Sequence, residues 1–322
     1  MKIHPYLAKS SLLLFLALFL FVLTACLAPF HARAMPTDPH FYEPSWTTIF
    51  NDEFNGEGAV DASKWMYATG TGYPGGPPNW NTGEIEVMTD SLENVFQSGG
   101  NLHIRMLHNG EDPLTGWTSG RIETLRTDFQ PPEGGALAIE GRVQLPELTG
   151  KAAKGYWPAF WVPGEGFRTN YWGMPTVGEM DVLENVDGEN RWWGSFHCGP
   201  SKKGGPCDEP HGLGTNLGGF SPTLQSAFHI YRLEFDKSVS PQEIRWYIDG
   251  ELLNTVFSDE IDAETWNQAT NHGFFIILDV AIGGYWRGNP TVDTEPGGAM
   301  LVDYVRVYVR PMKTIHLPVT SR

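Results

Sequence analysis

Eight segments of the sequence alternate apolar and polar residues with the two-residue period of a β-strand, and this pattern constrains the fold more than any other feature. The segments are residues 101–106, 136–145, 180–184, 193–198, 229–235, 244–248, 274–280 and 300–309. Asp249-Gly250 follows one of them and is a strong hairpin signal, with Leu252-Leu253 on the returning strand. A helical pattern is confined to residues 259–268, so the chain is predicted to be all-β.

The composition supports the same fold class. The 322 residues include 37 Gly and 24 Pro, which favour frequent turns, and 41% apolar residues, which suffice for a core. Many strands with almost no helix predict two stacked antiparallel sheets, a sandwich or jelly roll whose curvature gives one concave face. No linker or repeat interrupts the pattern, which predicts one domain over residues 35–311 and a tail over residues 312–322.

The charge of the chain excludes two classes of partner. With 22 Lys+Arg against 38 Asp+Glu, the formal net charge is −16. Nucleic acids and anionic membrane surfaces are bound by clustered basic residues. We therefore expect no nucleic-acid partner, and no membrane partner unless the chain carries a lipid anchor.

Residues 1–34 differ from the rest of the chain and predict a secretory signal peptide. Two lysines precede an apolar run over residues 12–27, and residues 32–34 form an Ala-x-Ala cleavage pattern. Two alternatives stay open. One is a membrane anchor, for which the apolar run is slightly short, and the other is a lipoprotein signal in which Cys26 is lipidated. We expect a secreted protein, or one anchored at the cell surface through Cys26.

Two cysteines, Cys198 and Cys207, remain after this segment. An even pair in an exported protein is typical of a disulfide, and the Gly-rich run between them can close a small loop. The alternative is a zinc site, which would need His197 and His211 as further ligands. We predict the disulfide.

The most informative stretch is Glu179-Met180-Asp181-Val182-Leu183-Glu184, which gathers three acids in six residues. Strand alternation places Glu179 and Asp181 on one face and leaves Glu184 on the other. One extra residue, a β-bulge between Asp181 and Glu184, would return Glu184 to the first face, and we predict that bulge. The alternative interpretation is an exposed strand whose acids are solvated.

In a bulged strand Glu179 and Glu184 lie about four steps apart, roughly 13 Å between their Cα atoms. If each side chain leans about 3.5–4 Å toward the other, their carboxyl groups come to roughly 5–6 Å. This separation favours a retaining glycosidase, because an inverting enzyme needs room for a water molecule between its two carboxyls. One carboxylate then attacks the anomeric carbon, and the other holds a proton for the leaving oxygen. The charges of Glu179 and Asp181 would raise the pKa of Glu184.

Trp157 and Trp161 belong to a further strand-like segment. They share one face of it, because they are four positions apart and alternate residues of a strand face the same side. Tryptophan rings are common platforms for the apolar faces of sugars. Core packing is the alternative role for both side chains.

Together these residues resemble glycoside hydrolase family 16. The resemblance covers most of residues 47–309. It rests on short motifs, which are residues 50–56, 119–122 and 155–161, the Glu-x-Asp-x-x-Glu of residues 179–184, His197, and residues 277–286 and 302–308. The bulged form of the acidic motif is similar to that of laminarinases, agarases and carrageenases.

The resemblance implies a concanavalin A-like β-jelly roll, a substrate cleft on its concave face, and retaining cleavage of a β-linked polysaccharide. It makes Glu179 the nucleophile, Asp181 the residue that orients the nucleophile, and Glu184 the acid/base. No cofactor is expected for catalysis, and we expect a monomer.

The resemblance also implies that Trp157, Trp161 and Trp286 line the cleft, and that Arg121 and His197 contact sugar near the cleavage point. For Arg121 the alternative is an ordinary ion pair on a strand. For Trp286 the alternative is a role as a loop anchor.

Two further comparisons with the family pattern concern a calcium site and a strand at the cleft entrance. Many members carry a structural calcium ion, and Glu53, Gly100 and Asp303 match its usual positions. Members often carry Glu-x-Gln-x-Tyr-Thr where this chain has Glu84-Ile85-Glu86-Val87-Met88-Thr89. That departure lies at a strand that helps to frame the cleft entrance in relatives.

The leading hypothesis is an endo-acting β-1,3-glucanase of the laminarinase type. A second hypothesis keeps the three acids and changes the polymer to a β-1,3-1,4-glucan or a galactan, or transfers the sugar to another sugar. A third is a non-catalytic carbohydrate-binding or cell-wall protein, since fold does not fix function. The three acids favour an enzyme, because a binding protein has no need of a raised-pKa acid beside a nucleophile.

Overall fold

The computed structural model describes residues 45–312, and within them the chain forms eighteen strands, one α-helix and three short 3-10 turns. The strands are β1 (Thr47–Asp52), β2 (Trp65–Tyr67), β3 (Val87–Met88), β4 (Val95–Ser98), β5 (Asn101–Arg105), β6 (Leu107–His108), β7 (Trp117–Ser119), β8 (Arg121–Thr124), β9 (Ala136–Gln144), β10 (Tyr156–Pro163), β11 (Glu179–Glu184), β12 (Arg191–His197), β13 (Leu213–Gly218), β14 (His229–Asp236), β15 (Glu243–Ile248), β16 (Glu251–Phe257), β17 (Ile277–Ile282) and β18 (Ala299–Arg310). The helix is α1 (Ala263–Thr270), and the 3-10 turns are Pro78–Asn81, Gly150–Ala153 and Glu165–Arg168.

All eight alternating segments are strands, which confirms the all-β prediction. The segment predicted over residues 274–280 becomes a regular strand only at Ile277, because Phe274 makes isolated bridges to Phe129 and Gly164 instead. Short strands such as β2, β3 and β6 were not predicted, since two or three residues are too few to show an alternation.

The predicted hairpin and helix are both present. Asp249 and Gly250 join β15 to β16 with φ of 51° and 83°, the left-handed pair that a type I′ turn requires. The helix begins four residues later than residue 259 because Asp262 is its N-cap, accepting a hydrogen bond from the Thr265 backbone N–H at 2.9 Å.

The strands assemble into two large antiparallel sheets. One has the order β16-β15-β14-β9-β18-β5-β4, with β1 also paired to β18. The other has the order β13-β12-β11-β10-β17-β8-β2. A small third sheet, β3-β7-β6, contains a parallel pair, β3 with β7. The arrangement is the predicted sandwich of the jelly-roll type.

The core lies between the two large sheets and requires close approach at defined points. Gly141 on β9 faces the ring of Phe160 on β10, and a Cβ atom at residue 141 would come within 2.8 Å of that ring. Trp246 on β15 donates its indole N–H to the backbone oxygen of Asp181 on β11 at 2.7 Å. The strand that carries the three acids is thereby fixed to the opposite sheet.

The predicted β-bulge is present in β11. Against β12, Asp181 pairs with Ser195 and Glu184 pairs with Trp193, so three steps on one strand match two on the other. Met180, Val182 and Leu183 are all buried in the core between the sheets. The extra residue therefore returns Glu184 to the face that carries Glu179 and Asp181.

The predictions for residues 1–34, for Cys26 and for all but the first residue of the tail lie outside the described residues. Among residues 45–312, no helix is long and apolar enough to cross a membrane.

Candidate active site

A cleft with an empty volume of about 760 Å³, solvent at its mouth included, opens on the face of the sheet that contains β8, β10, β11 and β17. Its lining combines aromatic rings with acidic side chains, a combination typical of sugar sites. Glu179, Asp181 and Glu184 all line it. The alternative of a solvated acidic strand is therefore wrong, since Asp181 is only 2% exposed.

The surroundings of Glu184 favour its protonated form. Trp157 on the neighbouring strand donates its indole N–H to Glu184 Oε1 at 2.9 Å. Burial, and then the charge of Asp181, raise the pKa of Glu184 to about 8. A carboxyl group with such a pKa is protonated at neutral pH, which is the state that a general acid needs.

His197 is the cation of the cluster. Its Nε2 lies 3.1 Å from Asp181 Oδ2, and its Nδ1 lies 2.9 Å from Glu209 Oε2. Both neighbours are carboxylates, and their negative charges favour the protonated, positively charged form of the ring. Burial lowers the pKa of His197, but the hydrogen bonds to Asp181 and Glu209 outweigh burial, and the pKa rises well above its usual value.

The charge on Glu179 depends on this imidazolium. Burial, Asp181 and Glu184 raise the pKa of Glu179 well above its ordinary value, and His197 opposes this rise. One carboxylate oxygen from each of Glu179 and Asp181 and one ring nitrogen of His197 lie within 4.8 Å of one another. Glu184 is not part of this group. The imidazolium therefore adjoins Glu179 and Asp181, where its positive charge favours the ionised form of Glu179.

Arg121 is buried at the edge of the cleft within a cage of aromatic rings. Its guanidinium lies 4.6 Å from the centroid of Trp80 and 4.8 Å from that of Trp161. It donates to the Tyr73 hydroxyl at 2.7 Å and lies 3.6 Å from a carboxylate oxygen of Glu123. The ion pair considered as the alternative thus exists, and contact of Arg121 with sugar stays a prediction.

The two predicted tryptophan platforms share the cleft face, as their spacing predicted. Trp161 donates its indole N–H to Asp279 Oδ1 at 2.8 Å, and both residues line the cleft. Trp286 is 38% exposed and packs edge-on against Trp157 at 5.2 Å and against Trp193 at 5.4 Å between centroids. These side chains form an aromatic wall, of which Trp157 and Trp161 line the cleft and Trp286 does not.

The fold has close parallels among solved structures. The chain is 49% identical to an endo-1,3-β-glucanase from Streptomyces sioyaensis and matches its crystal structure with a TM-score of 0.79, over 86% of this chain and 99% of that one. For an endo-β-1,3-glucanase from Pyrococcus furiosus the identity is 31% and the TM-score 0.68, over 86% and 100%. A β-glucanase from Rhodothermus marinus is 32% identical over 279 residues, 82% of this chain and 86% of that protein. The chain belongs to the laminarinases of glycoside hydrolase family 16. No profile of a known protein family matches it.

Several residues of this laminarinase-family site were missed by the sequence analysis. Asp279 could have been identified from the sequence, because it is the one charged residue in the otherwise apolar strand Ile277–Ile282. Burial raises its pKa to about 7, while Arg121 opposes the rise. Tyr73 and Glu209 come from loops, where no periodicity marks a side chain that reaches the cleft.

The predicted disulfide is present between Cys198 and Cys207, so the sulfur atoms are bonded to each other and do not form the alternative zinc site. The loop that it closes leads directly to Glu209. One oxygen of Glu209 accepts from the Cys198 backbone N–H at 3.1 Å, and the other contacts His197. The disulfide loop therefore positions the residue that keeps His197 charged.

The residues predicted to bind calcium do not fit the ion as they lie. Both oxygens of Glu53 accept hydrogen bonds from Arg306, at 2.9 and 2.7 Å. Asp303 is paired with Arg142 at 2.6 Å. Two carboxylates already neutralised by arginines leave few free oxygens, whereas calcium takes six to eight. We assign no role to calcium in this chain.

Proposed function

We propose that the chain is a retaining endo-β-1,3-glucanase that hydrolyses laminarin-type glucan. The observation that carries the proposal is the bulge in β11, which turns Glu179, Asp181 and Glu184 toward one cleft. Two carboxyl groups of different charge state beside an aromatic wall are what double displacement on a sugar requires. The reaction needs no cofactor, since every proton and electron pair comes from the side chains, the sugar and water.

In the first step the ionised Glu179 attacks the anomeric carbon and forms a glycosyl ester, while the bond to the glycosidic oxygen breaks. The proton of Glu184 passes to that oxygen, and the leaving part of the glucan departs as an alcohol. Asp181 is linked to Glu209 through His197. It keeps its negative charge while Glu179 loses its own charge on forming the ester.

In the second step water attacks the same carbon from the side that the leaving group has vacated. Glu184, now a carboxylate, takes a proton from the water, and the ester bond to Glu179 breaks with its electron pair returning to the carboxylate. Two inversions give net retention. The distance between the carboxyl groups of Glu179 and Glu184 stays a prediction of this mechanism.

The proposal is tested by reducing-sugar release and product sizing on laminarin, lichenan, agarose and carrageenan, with Glu179→Ala as the control. We expect short oligosaccharides from laminarin, none from agarose, and no release by the variant. Release from another polymer alone would keep the chemistry and change the substrate. No release of reducing sugar from any of the four polysaccharides would favour transfer between sugars or binding without catalysis.

We also propose that the protein is exported. The disulfide between Cys198 and Cys207 supports this, because such bonds persist in oxidising compartments. N-terminal sequencing of protein recovered from the medium should begin near Met35. Recovery in the detergent phase, with a blocked N-terminus at Cys26, would indicate a lipid anchor instead. Gel filtration tests the expected monomer.

A further inference from the structure

Glu84 and Glu86 form a pair of buried acids at the wall of the cleft, and the two catalytic steps do not use them. Glu86 is completely buried and Glu84 is 6% exposed. Their segment is attached to the end of β17, because Glu84 bridges to Gly283 and the Ile85 backbone N–H donates to the Ile282 oxygen at 3.0 Å. Glu86 stands where the family pattern has Gln.

The hydrogen bonds of the pair leave one oxygen of each carboxyl group without a donor. Glu86 Oε2 accepts from the Ile282 backbone N–H at 2.8 Å, and Glu84 Oε1 accepts from the Thr82 hydroxyl. No N–H or O–H group within residues 45–312 donates to Glu84 Oε2 or to Glu86 Oε1. The two carboxyl groups are hydrogen-bonding neighbours. A single proton shared between them therefore supplies the missing hydrogen bond and removes the cost of two adjacent buried charges.

The surrounding charges decide which carboxyl keeps the negative charge. Burial raises the pKa of both glutamates, but Arg121 on β8 lowers that of Glu84, while the charge of Glu84 raises that of Glu86 further. Asp279 on β17 and Glu123 on β8 are the other acids near Arg121. The proton therefore belongs to Glu86, and the charge belongs to Glu84.

Glu84 lines the cleft together with Arg121, Trp157 and Asp279, whereas Glu86 does not. A carboxylate has about four lone-pair positions, so Glu84 keeps acceptor capacity after it receives hydrogen bonds from Thr82 and Glu86. We propose that Glu86 holds a proton which it donates to Glu84, and that the Glu84 carboxylate fixed in this way binds a hydroxyl group of the glucan chain. The second half of this inference rests on the proposed function.

The proton is tested with Glu86→Gln. The glutamine amide can donate to Glu84 and its oxygen can accept from Ile282, so the hydrogen bonds persist and only the titration is removed. A buried acid with a raised pKa stabilises the fold at low pH and loses that contribution as pH rises from its ordinary range through its folded pKa. The melting temperature of the variant minus that of wild type should therefore increase steadily from pH 5 to pH 9.

Exposed Glu93 provides the matched control, because Glu93→Gln removes one carboxyl group from the surface and should give a difference that does not change with pH. A pH-independent difference for Glu86→Gln would overturn the shared proton. Carbon-13 NMR of glutamate carboxyl groups, recorded on the Glu179→Ala/Glu184→Gln protein at pH 7, tests the same point without altering Glu86. One buried glutamate must retain the chemical shift of a protonated acid, and its absence would refute the proposal.

The hydroxyl contact is tested by calorimetric binding of a β-1,3-linked glucohexaose to Glu179→Ala, with and without Glu84→Gln. Loss of the carboxylate charge should weaken binding by about tenfold, the scale of a hydrogen bond to a charged group. Equal affinities would overturn the role of Glu84 and leave the proposed function intact. Absence of binding by both proteins would refute the proposed function and with it the glucan contact, whereas the pH result for Glu86 would stand on its own.

Discussion

Trp157 donates its indole N–H to Glu184 Oε1 at 2.9 Å, from a strand that pairs directly with the strand of Glu184. Because Oε1 already accepts this hydrogen bond, the proton of Glu184 belongs on Oε2. The same bond favours the ionised form, so it keeps the pKa of Glu184, about 8, below the value that burial and Asp181 would set without it. One side chain thus fixes both the position of the proton and the pH at which it is lost.

Replacing Trp157 by phenylalanine should move the alkaline limb of the rate profile. The variant keeps an aromatic ring but loses the donor, so the pKa of Glu184 rises and activity persists to higher pH. The expected displacement is about one pH unit, the scale of one hydrogen bond to a carboxylate. The measurement is kcat/KM on laminarin from pH 5 to pH 10. Trp286→Phe, which changes a ring that touches Trp157, is the control and should leave the limb in place.

Replacing Glu184 by glutamine should abolish the alkaline limb. In the wild type the proton required for the leaving oxygen is lost as pH rises through about 8, so kcat/KM declines there. Glu184→Gln has no such proton at any pH. Its loss of rate should be far larger on substrates with poor leaving groups than on activated aryl glycosides, which need no protonation. Comparable losses on the two substrate types would argue against Glu184 as the acid.

Replacing Glu179 by alanine should remove nearly all hydrolysis, since no covalent glycosyl ester can form. The cavity left by the side chain can admit azide, which would attack the anomeric carbon of an activated glycoside from the face that Glu179 used. The product is then a glycosyl azide of inverted configuration, identified by proton NMR. Substantial hydrolysis by the variant, or an azide product of retained configuration, would sink the assignment of the nucleophile.

The strand pattern was sufficient to predict the site because the bulge follows from parity alone. Three acids that must face one cleft, at spacings of two and three residues, cannot do so on a regular strand, so the insertion was predictable between Asp181 and Glu184. Asp279 was open to the same reasoning, since a lone acid in a buried strand signals a polar partner, here the Trp161 indole.

Side chains delivered by loops lay beyond such reasoning. Glu209 reaches His197 only because the disulfide closes its loop, and Tyr73 reaches Arg121 across a separation of 48 residues. Neither contact leaves a periodic trace in the sequence. The predicted calcium positions differ again. Glu53 and Asp303 matched a pattern, but their pairing with Arg306 and Arg142 could not be foreseen from the sequence.

Removing the disulfide with Cys198→Ala and Cys207→Ala together should lower the free energy of unfolding by about 2–3 kcal/mol, the chain-entropy value for a loop of this length. Urea denaturation with matched m-values is the measurement. Titration of the unfolded mature wild type under non-reducing conditions should find no free thiol. Two titratable thiols, or unchanged stability of the double variant, would contradict a formed disulfide.

Replacing Glu209 by glutamine should move the acidic limb of the rate profile to higher pH. The amide still reaches the Cys198 N–H and His197, but it replaces the carboxylate whose hydrogen bond raises the pKa of His197 with a weaker, neutral acceptor. With less imidazolium present, Glu179 loses the cation that opposes the rise of its pKa, so it becomes ionised only at higher pH. The measurement is kcat/KM on laminarin from pH 3 to pH 7, with the exposed Glu111→Gln as a control for loss of one negative charge. If the acidic limb of both variants lies at the wild-type pH, His197 does not control the pKa of Glu179.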